Sequence, residues 1–157
     1  MSKAQDELLY WEDMEPGKSW RFGSYAVTTE EIVEFAERYD PLPMHLDPIR
    51  ARETPLGVFC ASGIHTMGIT QRLLCDNLYG RTALIAGGEI RDFLMRRPVV
   101  PGDVLSVHAS VDARTAHVKR HDAGWVEIHA ETFRTDDTKV LEFKARILFA
   151  RKSGAAT

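Results

Sequence analysis

The stretch YDPLPMHLDP, residues 39–48, places a carboxylate at Asp40 and an imidazole at His45 in a loop with prolines at positions 41, 43 and 48. Proline fixes a backbone dihedral, so less conformational entropy remains to be lost when the loop is ordered. An imidazole that titrates near neutrality beside a carboxylate is a workable general acid–base pair. The same residues also read as helix punctuation, with Asp40 ending one helix and His45 a satisfied, partly buried histidine. Spacing alone leaves both readings open.

Two other groupings offer ligand chemistry. Asp40, His45 and Asp47, with His65 as a fourth, would suit several divalent ions. Asp47 before Pro48 is already accounted for as a helix N-cap, and His65 falls inside an apolar helical pattern, so no metal is expected. His117 and His121 in HVKRH have i, i+4 spacing but stand among charges between two strands, as in an exposed turn. His108 and His129 lie on the polar sides of alternating strands and receive no role.

The elements that must position Asp40 and His45 are well marked. VTTEEIVEFAERY is a helix: Thr28 and Glu31 have capping-box spacing, and Val27 and Ile32 form a hydrophobic staple. Ile32, Phe35, Ala36 and Tyr39 share one face. Pro41 disfavours helical geometry at Asp40, which ends the helix. Asp47 and Pro48 open a short helix through IRARE. A third helix starts near Ser62, after VFCAS, and runs to about Tyr79. Its apolar residues spread over more than one face, which predicts full burial, and Gly63 and Gly68 permit close approach to its first turns.

Strands flank these helices. KSWRFGSYAV follows a turn at Pro16-Gly17. TALIAGGEIRDFLM is a strand whose Gly87-Gly88 pair predicts a bulge or close backbone contact. DVLSVHASV, GWVEIHAETF and VLEFKARILFA alternate apolar and polar residues, with TDDTK as a hairpin turn. Helices segregated from a run of antiparallel strands indicate α+β, with a sheet wrapped around one buried helix. Residues 115–123 read as a mobile hairpin tip.

The 157 residues are expected to form one domain, with loosely ordered ends at 1–9 and 152–157. A formal net charge of −3 speaks against nucleic-acid binding, and no apolar run approaches a membrane span. Cys60 and Cys75 fit no disulfide framework or zinc motif and are expected as buried free thiols. With no apolar signal region in MSKAQDELLYWEDMEPG, the expected setting is cytoplasmic.

DPLPMHLDP carries Asp40, Pro43 and His45 in the order D-x-x-P-x-H, and resembles the active-site loop of MaoC-like dehydratases and (R)-specific enoyl-CoA hydratases. EDMEPGKSWRFGSYAVTTEEIVEFAERYDP, TPLGVFCASGIHTM and RRPVVPGDVLSVHASV are similar to further segments of that family, in the same order. The resemblance implies a hot-dog fold, an antiparallel sheet curled around one long helix, dimerised with substrate at the subunit interface. It implies addition or removal of water across the 2,3 bond of an acyl-CoA or acyl-carrier-protein thioester. No metal or redox cofactor is implied, since CoA or phosphopantetheine arrives with the substrate. Carried over, Asp40 and His45 are the catalytic pair, and Gly63 is the glycine whose N–H faces the thioester carbonyl. Ser62 either caps the helix or bonds the catalytic carboxylate. The family's usual loop Asn is replaced by Leu42. A hot-dog thioesterase and a non-catalytic acyl-thioester binding module are the alternatives. Arg91, Arg96 and Arg97 are expected on a solvated face.

Overall fold

The computed structural model describes residues 7–153. Of the expected loose ends, 1–6 and 154–157 lie outside the described residues, but Leu9 and Lys152 are fixed in place. Leu9 donates to the Arg81 carbonyl at 2.9 Å and accepts from Ala83 N–H at 2.7 Å. The Lys152 backbone N–H donates to Glu12 at 3.0 Å. Trp11 anchors this segment, donating from its indole to the Trp125 carbonyl at 3.1 Å beneath the guanidinium groups of Arg114 and Arg151.

In chain order the elements are β1 (Ser19–Ala26), α1 (Thr29–Tyr39), α2 (Pro43–Leu46), α3 (Pro48–Arg52), α4 (Gly63–Asn77), β2 (Leu84–Met95), β3 (Val104–Ala116), β4 (Ala123–Arg134) and β5 (Lys139–Ala150). The strands form one antiparallel sheet in the order β1-β3-β4-β5-β2. Period-two alternation turns Leu105, Val107, Ala109 and Val111 to one face, joined there by Val126, Ile128 and Ala130 of β4 and Leu141, Phe143, Ala145 and Ile147 of β5, all buried. Helix α4 lies against that face through Ile69, Leu73 and Leu74. This is the expected α+β hot-dog arrangement.

Two expectations about α4 and its surroundings are corrected. The helix is buried along one side only: Ile64 is 53% exposed, and Gly68, Gln71 and Arg72 also face outward. An apolar stripe wider than one sheet face can cover leaves one side of α4 exposed. For the same reason Cys75, on that outward side, is exposed while Cys60 is buried. The predicted irregularity at Gly87-Gly88 is present as a register shift between Gly87 and Glu89. The indole of Trp125 occupies the space a Cβ on Gly88 would need.

A polar pair pins α4 to the sheet. The Thr70 hydroxyl donates to the Thr66 carbonyl at 2.9 Å and lies 2.7 Å from the Thr132 hydroxyl on β4. Its single proton is committed, so Thr132 donates. Both residues are fully buried. Thr70→Val strands the Thr132 hydroxyl and is expected to lower stability by about 1–3 kcal/mol. Thr70→Val with Thr132→Val should recover most of that loss, as read by urea denaturation.

Candidate active site

Asp40 closes α1. Its N–H still bonds the Ala36 carbonyl at 2.9 Å, but Pro41 turns the chain out of the helix at this residue. Pro43 and Pro48 then occupy the first positions of α2 and α3, where a missing N–H costs nothing. Backbone bonds from Leu42 N–H to the Asp40 carbonyl (2.8 Å) and from His45 N–H to the Leu42 carbonyl (2.9 Å) fold the loop on itself. The Asp47 carboxylate accepts the N–H groups of Ile49 at 2.7 Å and Arg50 at 3.3 Å, so it caps α3 as expected.

This loop brings Nε2 of His45 to 3.5 Å from Oδ2 of Asp40. The imidazole is buried, and its Nδ1 lies 2.7 Å from the backbone carbonyl of Cys60. A carbonyl can only accept, so the proton of the neutral ring sits on Nδ1 and Nε2 faces Asp40 with a free lone pair. A span of this length is one a water or a substrate hydroxyl bridges.

The other wall is the start of α4. Ser62 is its N-cap, accepting Ile64 N–H at 3.2 Å, so of its two expected partners it takes the helix. Gly63 is the first helical residue, and its N–H has no acceptor within the helix. The positive end of the helix dipole stands behind it. The thioether of Met95 lies where a Cβ on Gly63 would have to go, so a larger residue there would have to displace it. Asp40, His45, Ser62 and Gly63 all line one pocket of about 390 Å³, with Met95, Val99 and Leu141 among its apolar walls.

Several contributors carried no sequence signal of a role. The segment before α4 is irregular but tied on both sides. Cys60 N–H donates to the Met44 carbonyl at 3.0 Å and Ala61 N–H to the Val99 carbonyl at 2.8 Å. Those two bonds deliver the carbonyl that orients His45, and the run VFCAS reads only as the stretch before the helix. Met95 and Val99 come from the end of β2 and the turn beyond it. Arg96 and Arg97 also line the pocket rather than a purely solvated face. Arg91 is drawn away, pairing with Glu127 at 2.6 Å. Leu42 does not line the pocket, and its side chain is half exposed.

The other candidate ligands do not converge. His65 lies against Glu31 instead, and among the described residues no group of three or more His, Cys, Asp or Glu side chains is placed to hold a metal ion. His117 accepts the N–H groups of Lys119 and Arg120, each at 3.0 Å, within the turn between β3 and β4. His108 and His129 face Glu131 and Glu142 on the outer side of the sheet. A second cavity, of about 470 Å³, lies further along α4 between Gln71, Tyr79, Ile90, Phe143 and Ile147. It holds no acid–base pair and continues the same inner face of β5. No helix among the described residues is long and apolar enough to cross a membrane.

A family model described as MaoC like domain matches residues 13–132. The uncharacterized protein YdeM of Bacillus subtilis (strain 168) is 28% identical over 135 residues, covering 86% of this chain and 94% of its own length. The crystal structure of a MaoC-like dehydratase from Rhodospirillum rubrum superposes with a TM-score of 0.84 at 32% identity, covering 92% of this chain and 98% of that one. An (R)-hydratase from A. caviae involved in PHA biosynthesis superposes with a TM-score of 0.69 at 22% identity, over 87% of this chain and 97% of that one. At that identity the likeness is one of fold alone.

The two thiols differ in a way that checks the pocket wall. Cys60 sits 3.9 Å from His45 Nδ1, and burial pushes its thiol above the ordinary range. Near pH 7, iodoacetamide should label exposed Cys75 at least about tenfold faster than Cys60. Peptide mass spectrometry reads the order, and faster labelling of Cys60 would contradict the burial described.

Proposed function

The chain belongs to the MaoC-like domain family, and on that premise we propose that it is a hydro-lyase of the (R)-specific enoyl-thioester hydratase and 3-hydroxyacyl-thioester dehydratase type. One observation carries the reading: a stiffened carboxylate, an imidazole with a free Nε2, and the first amide of a long helix converge on one pocket.

The chemistry runs as follows. The thioester carbonyl lies against Gly63 N–H, and the acyl C2–C3 bond lies before Asp40 and His45. Water held between His45 Nε2 and the Asp40 carboxylate adds its oxygen to C3. The pair takes one proton from that water, at His45 Nε2 or at Asp40, and delivers the same proton to C2 while the hydroxyl stays on C3. The pair therefore ends the turnover as it began, with no proton held over. Negative charge gathers on the thioester oxygen as the C2–C3 electrons shift, and the Gly63 amide with its helix dipole stabilises it. A donor so placed is worth about 3 kcal/mol of barrier. Dehydration is the reverse. Proton transfers and one polarised carbonyl suffice, so no resident metal or redox group enters. The acyl tail runs along the inner face of β5, from Leu141 toward Phe143 and the second cavity. Arg96 and Arg97 stand at the pocket's edge for a phosphate-bearing CoA or phosphopantetheine carrier.

A second copy of the chain completes the site. Strand β2 is an edge of the sheet with unpaired backbone groups. It shows Ile90 and Met95, 55% and 60% exposed, beside the uncovered side of α4. Light scattering should return about twice the 17.7 kDa chain mass.

A panel of trans-2-enoyl-CoA substrates of increasing chain length, followed by loss of conjugation, tests the activity. Asp40→Asn and His45→Gln are each expected to lower turnover about a hundredfold to ten-thousandfold with the fold retained by circular dichroism. Near-wild-type rates in both variants would remove the mechanism. Release of free thiol without hydration would turn the reading to a thioesterase, and thioester binding with no turnover at any chain length to a binding module.

A further inference from the structure

Glu31 stands in the first turn of α1, where its spacing from Thr28 predicts a closed capping box. Only half of the box forms: Thr28 Oγ1 accepts Glu31 N–H at 3.3 Å, while the Glu31 carboxylate turns elsewhere. Its Oε1 accepts the phenolic O–H of Tyr25 on β1 and lies 3.2 Å from Nε2 of His65 on α4. One oxygen atom therefore joins three elements. Desolvation and the bond to Glu31 push the Tyr25 phenol up to about 12, so it remains a donor. The His65 side chain is only 7% exposed, and its ring stacks on Phe35 with centroids 4.7 Å apart and planes 7° apart.

None of these groups lines the acid–base pocket, and no proton in the proposed reaction passes through them. Their importance is where they sit along the chain. His65 is two residues beyond Gly63, a rise of about 3 Å on the helix. Glu31 and Phe35 belong to the helix whose end presents Asp40. Backbone bonds at Val27 fix the chain just before α1, and along the helix itself the grip comes from Ile32, Val33 and Ala36, apolar contacts without direction. Such contacts let a helix slide along its groove, whereas a bond to one oxygen atom does not.

The histidine is also a poor choice for packing alone. A carboxylate only accepts, so the ring proton it engages is on Nε2, and the buried Nδ1 has no partner among the described residues. A leucine would fill much the same space without stranding a nitrogen. We infer that His65 is a positioning residue: held by Glu31 and stacked on Phe35, it sets the separation between the helix end carrying Asp40 and the helix start carrying Gly63.

The inference rests on the hydratase reading, and the test separates the two. His65→Leu is expected to melt at or above the wild-type temperature, yet to lose about a hundredfold in kcat, the effect of a misplacement near 1 Å, with KM within about threefold. His65→Gln, which can still donate to Glu31, should restore part of that loss, and Glu31→Leu, which removes the acceptor, should resemble His65→Leu. A kcat within about twofold of wild type in His65→Leu, or a kcat that falls only together with the melting temperature, overturns the inference. If the wild-type protein hydrates no enoyl thioester, the hydratase reading falls and crystal structures decide the inference. A change of about 1 Å or more in the Asp40–Gly63 separation on His65→Leu supports it, and a smaller change overturns it.

Discussion

The bond between His45 Nδ1 and the Cys60 carbonyl governs what the pocket can do. An imidazole offers two nitrogens, and a carbonyl at 2.7 Å claims one of them as a donor. The other is then fixed as the nitrogen that meets Asp40. Without that carbonyl the ring could present either nitrogen, and a lone pair on Nε2 would meet Asp40 only part of the time. The carbonyl is itself placed by a backbone ladder in which Cys60 bonds Met44 and Ala61 bonds Val99. Backbone groups are a suitable device here, because they cannot rotate away as a side chain can.

The same ladder explains how two distant parts of the chain form one pocket. The loop carrying Asp40 and His45 follows α1, and the amide of Gly63 opens α4. Residues 58–61 run between the loop on one side and the turn after β2 on the other, tied to both. Immediately afterwards Ser62 caps the helix, so no slack remains between the carbonyl that orients His45 and the amide that faces the pocket. The sheet supplies a floor through Leu141, and the turn after β2 adds Val99. One side stays open, where β2 forms the sheet edge and α4 shows Ile64 to the outside. A single chain builds the reactive wall more completely than the walls around it.

Much of this was legible in the sequence. Caps at Thr28 and Asp47, the stop at Asp40 and the alternation of β3, β4 and β5 are local, and local patterns survive folding. The order of elements, with one long helix before four long strands, was enough for α+β and a sheet around a helix. The resemblance added the hot-dog arrangement and the roles to be tested. What was missed depends on partners remote in sequence. Periodicity shows that α4 is apolar on several sides but not how many of them one sheet can cover, so full burial was expected of the helix and of Cys75. Spacing matched a capping box at Thr28 and Glu31, but it could not reveal that Tyr25 and His65 would compete for the same carboxylate. The Cys60 carbonyl has no side-chain signature at all.

Leu42 shows how the motif divides its labour. The resemblance implies an Asn here, and a leucine forfeits its hydrogen bonds. Yet the loop is closed by the N–H and C=O of Leu42, groups every residue but proline supplies in full, and by prolines that limit the backbone at positions 41, 43 and 48. The leucine side chain lies outside the pocket lining. Positions 41, 43 and 48 therefore specify the path, 40 and 45 bring the carboxylate and the imidazole, and 42 contributes its backbone. A substitution that would alter the chemistry at 40 or 45 leaves the pocket's polar lining unchanged at 42, because the physical work at that position is done by atoms the substitution does not touch.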